Sequence, residues 1–139
     1  MRPRADADRI LAFAQELGRA GGRPTWLYLT GGATAVLEGW RETTIDIHIR
    51  LEPEPDELLR TISQLKESIG INVEFASPAD LIPELPEWRE RSRPVTRERH
   101  LEVLHFDYYS EALARLERAF DQDLKAVREM AARGRPPKP

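Results

Sequence analysis

The segment from Thr43 to Leu51 constrains the fold more than any other part of the chain. Its residues alternate strictly between aliphatic and polar side chains. Successive side chains of a β-strand point to opposite faces, so this alternation predicts a strand with one buried and one polar face. The residues expected in the core are Ile45, Ile47, Ile49 and Leu51, and those expected on the polar face are Thr44, Asp46, His48 and Arg50.

Helical and strand patterns alternate along the rest of the 139 residues. The pattern predicts an α/β or α+β sheet with helices packed on it. Helices are predicted at Ile10–Leu17 (capped by Asp6 or Asp8), Ala33–Trp40, Asp56–Ser68, after Ser77 as a short turn, and from Leu113 to Ala132; further strands are predicted at Trp26–Thr30, Ile71–Phe75, Arg93–Arg99 and His100–Phe106. The length predicts a single domain over residues 1–134, followed by a disordered tail at 135–139.

Two glycines, Gly31 and Gly32, lie between a predicted strand and a predicted helix. Without Cβ atoms they allow backbone N–H groups to approach a ligand closely. The start of the following helix supplies N–H donors and a positive dipole end, which favours a phosphate group. The alternative is an ordinary turn between a strand and a helix.

Acidic and imidazole side chains follow on the predicted sheet. Asp46 and His48 are two residues apart and therefore share one face of their strand. Glu74 lies on the polar side of the next predicted strand and joins them if the two strands are neighbours. Carboxylates that converge beside a phosphate site can hold Mg²⁺ for phosphoryl or nucleotidyl transfer. The alternative is that these three residues form the solvent-exposed face of an amphipathic sheet.

The composition excludes several classes of protein. The chain has no cysteine, which rules out disulfides, thiol nucleophiles and cysteine-ligated metal sites. No apolar run approaches the ~20 residues of a membrane span, and the N-terminus lacks the apolar core of a secretory signal. We therefore expect a cytoplasmic protein without a membrane partner. The net charge of −3 gives no general expectation of nucleic-acid binding, although arginines gather between positions 89 and 99 as a solvated face or a docking surface for RNA or an acidic partner.

The stretch from Gly31 to His48 resembles the signature of the nucleotidyltransferase superfamily related to DNA polymerase β. That signature is a Gly-Gly or Gly-Ser pair, a helix, a strand bearing Asp-x-Asp, and a third acidic residue on a following strand. The wider chain, from about Tyr28 to Gly134, is similar to small bacterial nucleotidyltransferase-like proteins and, more distantly, to the nucleotidyltransferases of abortive-infection and toxin–antitoxin systems. The matching stretches include Tyr28–Val36, Gly39–Asp46, Ile71–Pro78, Leu81–Trp88, His105–Tyr109 and Ala112–Arg118.

The resemblance implies an α+β nucleotidyltransferase fold, with a mixed sheet of about five strands flanked by helices and a long C-terminal helix. It implies transfer of a nucleotide from an NTP to a hydroxyl of RNA or protein, with Mg²⁺ or Mn²⁺ as cofactor. The implied roles are metal binding and catalysis for Asp46 and Glu74, and nucleotide or phosphate binding for Gly31, Gly32, Arg41, Thr44 and Arg115. His48 is the third predicted metal ligand, because it shares a strand face with Asp46.

One departure from the signature bears on activity, because His48 stands where the pattern has its second Asp. Imidazole is a poor ligand for Mg²⁺ and a good one for Zn²⁺, Mn²⁺ or Ni²⁺. A second hypothesis follows, in which the chain is a degenerate nucleotidyltransferase that binds a nucleotide or a cognate protein partner without turnover. A third is a small structural homodimer whose polar sheet face is merely hydrated.

Overall fold

The structure is a computed structural model that describes residues 4–118 and 121–133. The predicted tail at 135–139 lies outside the described residues. The elements are α1 (Ala7–Ala20), β1 (Thr25–Thr30), α2 (Gly31–Leu37), β2 (Asp46–Glu52), α3 (Asp56–Leu65), a π-helical turn (Lys66–Gly70), β3 (Asn72–Phe75), a 3₁₀ turn (Pro78–Asp80), α4 (Trp88–Arg91), β4 (Arg93–Glu98), β5 (Leu101–His105), α5 (Tyr108–Arg118) and α6 (Asp121–Ala132). Within these ranges no helix has the length and apolar character needed to cross a membrane.

The five strands form one mixed sheet in the order β3-β2-β1-β5-β4. β2 runs antiparallel to β1, whereas β3 is parallel to β2 and β5 is parallel to β1. The parallel pairing of β2 with β3 requires a crossover connection, which α3 provides. The predicted α+β class, with a mixed sheet of about five strands and flanking helices, is confirmed.

The hydrophobic core lies between one face of this sheet and helices α1, α2 and α3. Ile47, Ile49 and Leu51 of β2 are buried there, which confirms most of the predicted alternation. They pack with residues from all three helices, including Ile10, Phe13, Leu17, Ala33, Val36, Leu58 and Ile62. Asp6 caps α1 as predicted, because its carboxylate accepts a hydrogen bond of 2.9 Å from the Arg9 amide.

Two apolar residues of the predicted strands are exposed, and one of them, Ile45, is predicted to lie in the core. Ile45 is 54% exposed because β2 begins only at Asp46. The backbone of Thr44 pairs with Ala5 through hydrogen bonds of 2.8 and 2.9 Å, and this isolated bridge lies outside the named strands. Phe75 is 48% exposed because it is the last residue of β3, a strand at the edge of the sheet.

The chain divides into two compact units. The first contains the described residues up to Ala76 together with Pro94–His105, and the second contains Ser77–Arg93 together with the described residues from Phe106 onward. Within the second unit, the buried side chain of Trp88 stacks on Phe106 with ring centroids 4.4 Å apart. The predicted helical turn after Ser77 is present, and Ser77 and Asp80 close it as a capping box.

Asp107 organises the start of α5 in the second unit. Its buried carboxylate accepts hydrogen bonds from the Tyr109 and Ser110 amides at 3.2 and 3.3 Å. It also accepts two from the Arg91 guanidinium, at 3.1 and 2.7 Å. The hydrogen bond to Asp107 raises the pKa of Arg91 above its usual value. Arg91, predicted as part of a basic surface segment, therefore has a structural role.

The long C-terminal helix predicted from Leu113 to Ala132 is described as α5 and α6, on either side of positions 119–120. Leu113 and Leu116 lie on the exposed side of α5. Tyr108, Ala112 and Ala114 form the buried side of α5 instead, together with Ser110 and Glu111.

Candidate metal centre

Three side chains that could hold a metal ion converge on the polar face of the sheet, in the first unit. Asp46, His48 and Glu74 each offer one ligand atom, and these atoms lie within 4.8 Å of one another. The Nε2 atom of His48 is 3.3 Å from Oε2 of Glu74. The His48 side chain is 35% exposed and that of Glu74 is 59% exposed, so the cluster is open to solvent. The structure thus brings together the three residues predicted as metal ligands.

The register of the sheet explains why these residues meet. His48 of β2 is aligned with Glu74 of the parallel strand β3, and on its other side with Thr30 of β1. Asp46 precedes His48 by two residues and shares its face. Gly31 follows directly after Thr30, so the Gly31–Gly32 turn begins next to the aligned residues Thr30, His48 and Glu74.

The structure requires glycine at both positions of this turn, at Gly31 because of the backbone conformation and at Gly32 because of packing. Gly31 has φ +60°, in the left-handed region that side chains disfavour. A Cβ atom on Gly32 would lie 2.0 Å from Oγ1 of Thr44 and 2.8 Å from its Cβ. Gly32 therefore allows the chain before β2 to approach α2 closely. That requirement holds with or without a bound phosphate.

Arg41 and Thr44, both predicted to contact phosphate, lie beside this turn. A guanidinium nitrogen of Arg41 is 3.6 Å from the position that a Cβ of Gly32 would take. The hydroxyl of Thr44 donates a hydrogen bond of 3.0 Å to the backbone carbonyl of Asp46. Thr44 thus ties the glycine turn to the first residue of the cluster, and Arg41 supplies a positive charge next to the turn.

The helix α2, whose first two residues are Gly31 and Gly32, contributes less to an anion site than the sequence suggests. α2 spans only the seven residues Gly31–Leu37, so few peptide dipoles are aligned in it. Binding of an anion beside Gly31 and Gly32 would therefore depend on the backbone of the turn and on the positive charge of Arg41.

A buried polar network beneath α2 was missed by the sequence reasoning. The hydroxyl of Thr34 donates to the Leu29 carbonyl at 3.1 Å and lies 2.9 Å from Nδ1 of His105. Nε2 of His105 is 3.4 Å from a carboxylate oxygen of Glu38. His105 is itself buried, and it is aligned with Leu29 in the sheet. No local signal reveals the network, because Thr34 and His105 are 71 residues apart.

Arg115, the remaining predicted nucleotide-binding residue, belongs to the second unit. Its guanidinium contacts Asp123 at 3.3 Å and Glu111 at 3.4 Å. Asp123 is fully buried and also pairs with Arg118, whose pKa is raised by that hydrogen bond. Arg115 is thus part of an ion-pair network that joins α5 to α6, and its contact with a nucleotide stays a prediction.

Comparisons of the chain with protein-family models, with curated proteins and with solved structures gave no match. The function is therefore inferred from the site itself.

The donor set decides which ions suit the cluster. Asp46 and Glu74 supply carboxylate oxygens, and His48 supplies an imidazole nitrogen. Mg²⁺ prefers oxygen ligands alone, whereas Mn²⁺ and Zn²⁺ accept both carboxylate and imidazole. The three residues therefore fit a divalent ion of the Mn²⁺ or Zn²⁺ type, and they fit Mg²⁺ less well.

Proposed function

We propose that this protein has a nucleotidyltransferase fold and transfers a nucleotide from an NTP to a hydroxyl group of RNA or of a protein. The observation that carries the proposal is the convergence of Asp46, His48 and Glu74 within 4.8 Å. His48 is aligned in the sheet with Thr30, the residue directly before the Gly31–Gly32 turn. A cation site beside a turn that lacks side chains and is flanked by an arginine suits a nucleoside triphosphate and its charge.

In the proposed reaction, the acceptor hydroxyl oxygen forms a bond to the α-phosphorus of the NTP. The bond between that phosphorus and the oxygen leading to the β-phosphate breaks, and pyrophosphate leaves with the electron pair. Glu74, the most exposed side chain of the cluster, would accept the proton of the hydroxyl on one carboxylate oxygen, which leaves the other oxygen to hold the ion.

The other residues position the phosphates and compensate their charge. The backbone of the Gly31–Gly32 turn would contact the triphosphate, and Arg41, which lies beside Gly32, would neutralise part of its negative charge. Asp46, His48 and Glu74 would hold a divalent ion, which when bound supplies charge neutralisation for the phosphoryl oxygens. Thr44 fixes the backbone of Asp46 relative to the turn.

A second candidate function is favoured by the identity of position 48. An imidazole in place of a carboxylate removes one negative charge from the cluster, which weakens a site for two cations. In that case the chain binds a nucleotide or a cognate protein partner without turnover, as half of a pair related to toxin–antitoxin systems.

The test is calorimetry of each NTP with the wild-type protein in the presence of Mn²⁺ or Mg²⁺, and without either ion. We expect NTP binding that requires the ion and that is lost in Asp46→Ala. Glu54→Ala is the matched control, because it removes one exposed carboxylate in the loop after β2, outside the cluster. Binding that survives Asp46→Ala, or no ion-dependent binding in the wild type, would contradict the proposal.

Incubation with an NTP labelled at the α-phosphate then separates the two candidate functions. Label transferred to total RNA or protein supports the transferase. Ion-dependent binding without any transfer supports the non-catalytic candidate.

A further inference from the structure

We propose that the Asp46–His48–Glu74 cluster is a site for a single ion that selects Zn²⁺ over Mn²⁺ and Mn²⁺ over Mg²⁺, with His48 increasing the preference for Zn²⁺ over Mg²⁺. This inference rests on the proposed function only for the location of the ion. It concerns the binding of the ion alone, in the absence of any nucleotide.

The spacing of the ligand atoms matches one small ion. With metal–ligand distances of about 2.1 Å, two ligands of a tetrahedral shell lie about 3.4 Å apart. The observed distance between His48 Nε2 and Glu74 Oε2 is 3.3 Å, at which the two side chains contact each other directly and can also share one ion. The widest separation in the cluster, up to 4.8 Å, closes by rotation of side chains that are partly or largely exposed. All three residues can therefore contact the same ion.

The number of donors argues against a second ion in the same cluster. Three protein ligands with one coordination position left for water or substrate is the arrangement of catalytic zinc sites. A pair of Mg²⁺ ions at the same place would need bridging carboxylates, and His48 cannot bridge two ions as a carboxylate does. With only Asp46 and Glu74 carrying charge, the cluster compensates one divalent cation.

The chemistry of His48 increases the preference for Zn²⁺ over Mg²⁺. A site of nitrogen and oxygen donors binds Zn²⁺ more tightly than Mn²⁺, and imidazole is a good ligand for both. Mg²⁺ is the least favoured because it gains little from an imidazole and loses water reluctantly. Replacement of His48 by a carboxylate gives an oxygen-only cluster, which suits Mg²⁺ better and narrows the preference for Zn²⁺.

The experiment is a calorimetric titration of tag-free protein with Zn²⁺, Mn²⁺ and Mg²⁺ separately, without nucleotide. We compare wild type with His48→Asp, His48→Gln and His100→Asp. His100 is the matched control, since it is an exposed histidine in the turn between β4 and β5. Thermal unfolding of each variant without metal shows whether it is folded, and His48→Gln serves if His48→Asp is not.

We expect the wild type and His100→Asp to bind one Zn²⁺ per chain, at least about tenfold more tightly than Mg²⁺. In His48→Asp the ratio of the two affinities falls by at least about tenfold, and in His48→Gln Zn²⁺ binding weakens. Equal affinities in the wild type, an unchanged ratio in both folded His48 variants, two ions per chain, or no ion bound would each overturn the inference. Selective Zn²⁺ binding without any NTP binding would support this inference and contradict the proposed function.

Discussion

Replacement of Gly32 by alanine tests whether the glycine turn is held by packing. The added Cβ would lie 2.0 Å from Oγ1 of Thr44, more than 1 Å inside an ordinary contact. It would also meet Cβ of Thr44 at 2.8 Å, so rotation of the Thr44 side chain cannot relieve the whole clash. We expect a loss of about 1–3 kcal/mol in the free energy of unfolding, as for other overpacked sites.

Urea denaturation of Gly32→Ala, Thr44→Ala and the double variant measures the coupling between the two positions. Thr44→Ala alone loses the hydrogen bond to the Asp46 carbonyl, which costs about 0.5–1.5 kcal/mol. The double variant removes the hydroxyl from the clash, so we expect it to be more stable than the sum of the single effects predicts, by about 0.5 kcal/mol or more.

The matched control for this cycle is Gly22→Ala, because a Cβ on Gly22 meets no atom within 4 Å. Its free energy of unfolding should differ from that of the wild type by less than about 0.5 kcal/mol. A Gly32→Ala protein as stable as Gly22→Ala, or strictly additive effects in the cycle, would refute the packing requirement at Gly32.

Two further predictions concern buried polar groups and are checked by urea denaturation. Asp107→Ala should lower the free energy of unfolding by about 2–4 kcal/mol, because it removes the cap of α5 and the partner of Arg91; a loss below about 0.5 kcal/mol contradicts this. Thr34→Val should cost about 1–3 kcal/mol, since it leaves the Leu29 carbonyl and His105 Nδ1 without the hydroxyl. Thr34→Ser retains the hydroxyl and should recover most of that loss, and equal stability of the two Thr34 variants contradicts the network.

Strict alternation was sufficient to predict much of the sheet. Ile47, Ile49 and Leu51 occupy the core because the period of a strand leaves them no other face. The same pattern failed at Ile45, because β2 begins only at Asp46 and the residue before Ile45, Thr44, instead forms an isolated bridge with Ala5. That pairing joins residues 39 positions apart.

The candidate site was predictable in its residue types and less so in its geometry. Asp46 and His48 had to share a face, but the place of Glu74 depended on which strand neighbours β2 and in which direction. The role of Gly32 depended on how closely Thr44 approaches it, and a sequence pattern does not encode that distance.

Anomalous diffraction from crystals of the wild type soaked in Mn²⁺ tests the central claim most directly. The account predicts a manganese peak bounded by the carboxylates of Asp46 and Glu74 and by the His48 imidazole, and its loss in Asp46→Ala. No peak at these three residues, or a peak there that persists in Asp46→Ala, would contradict it.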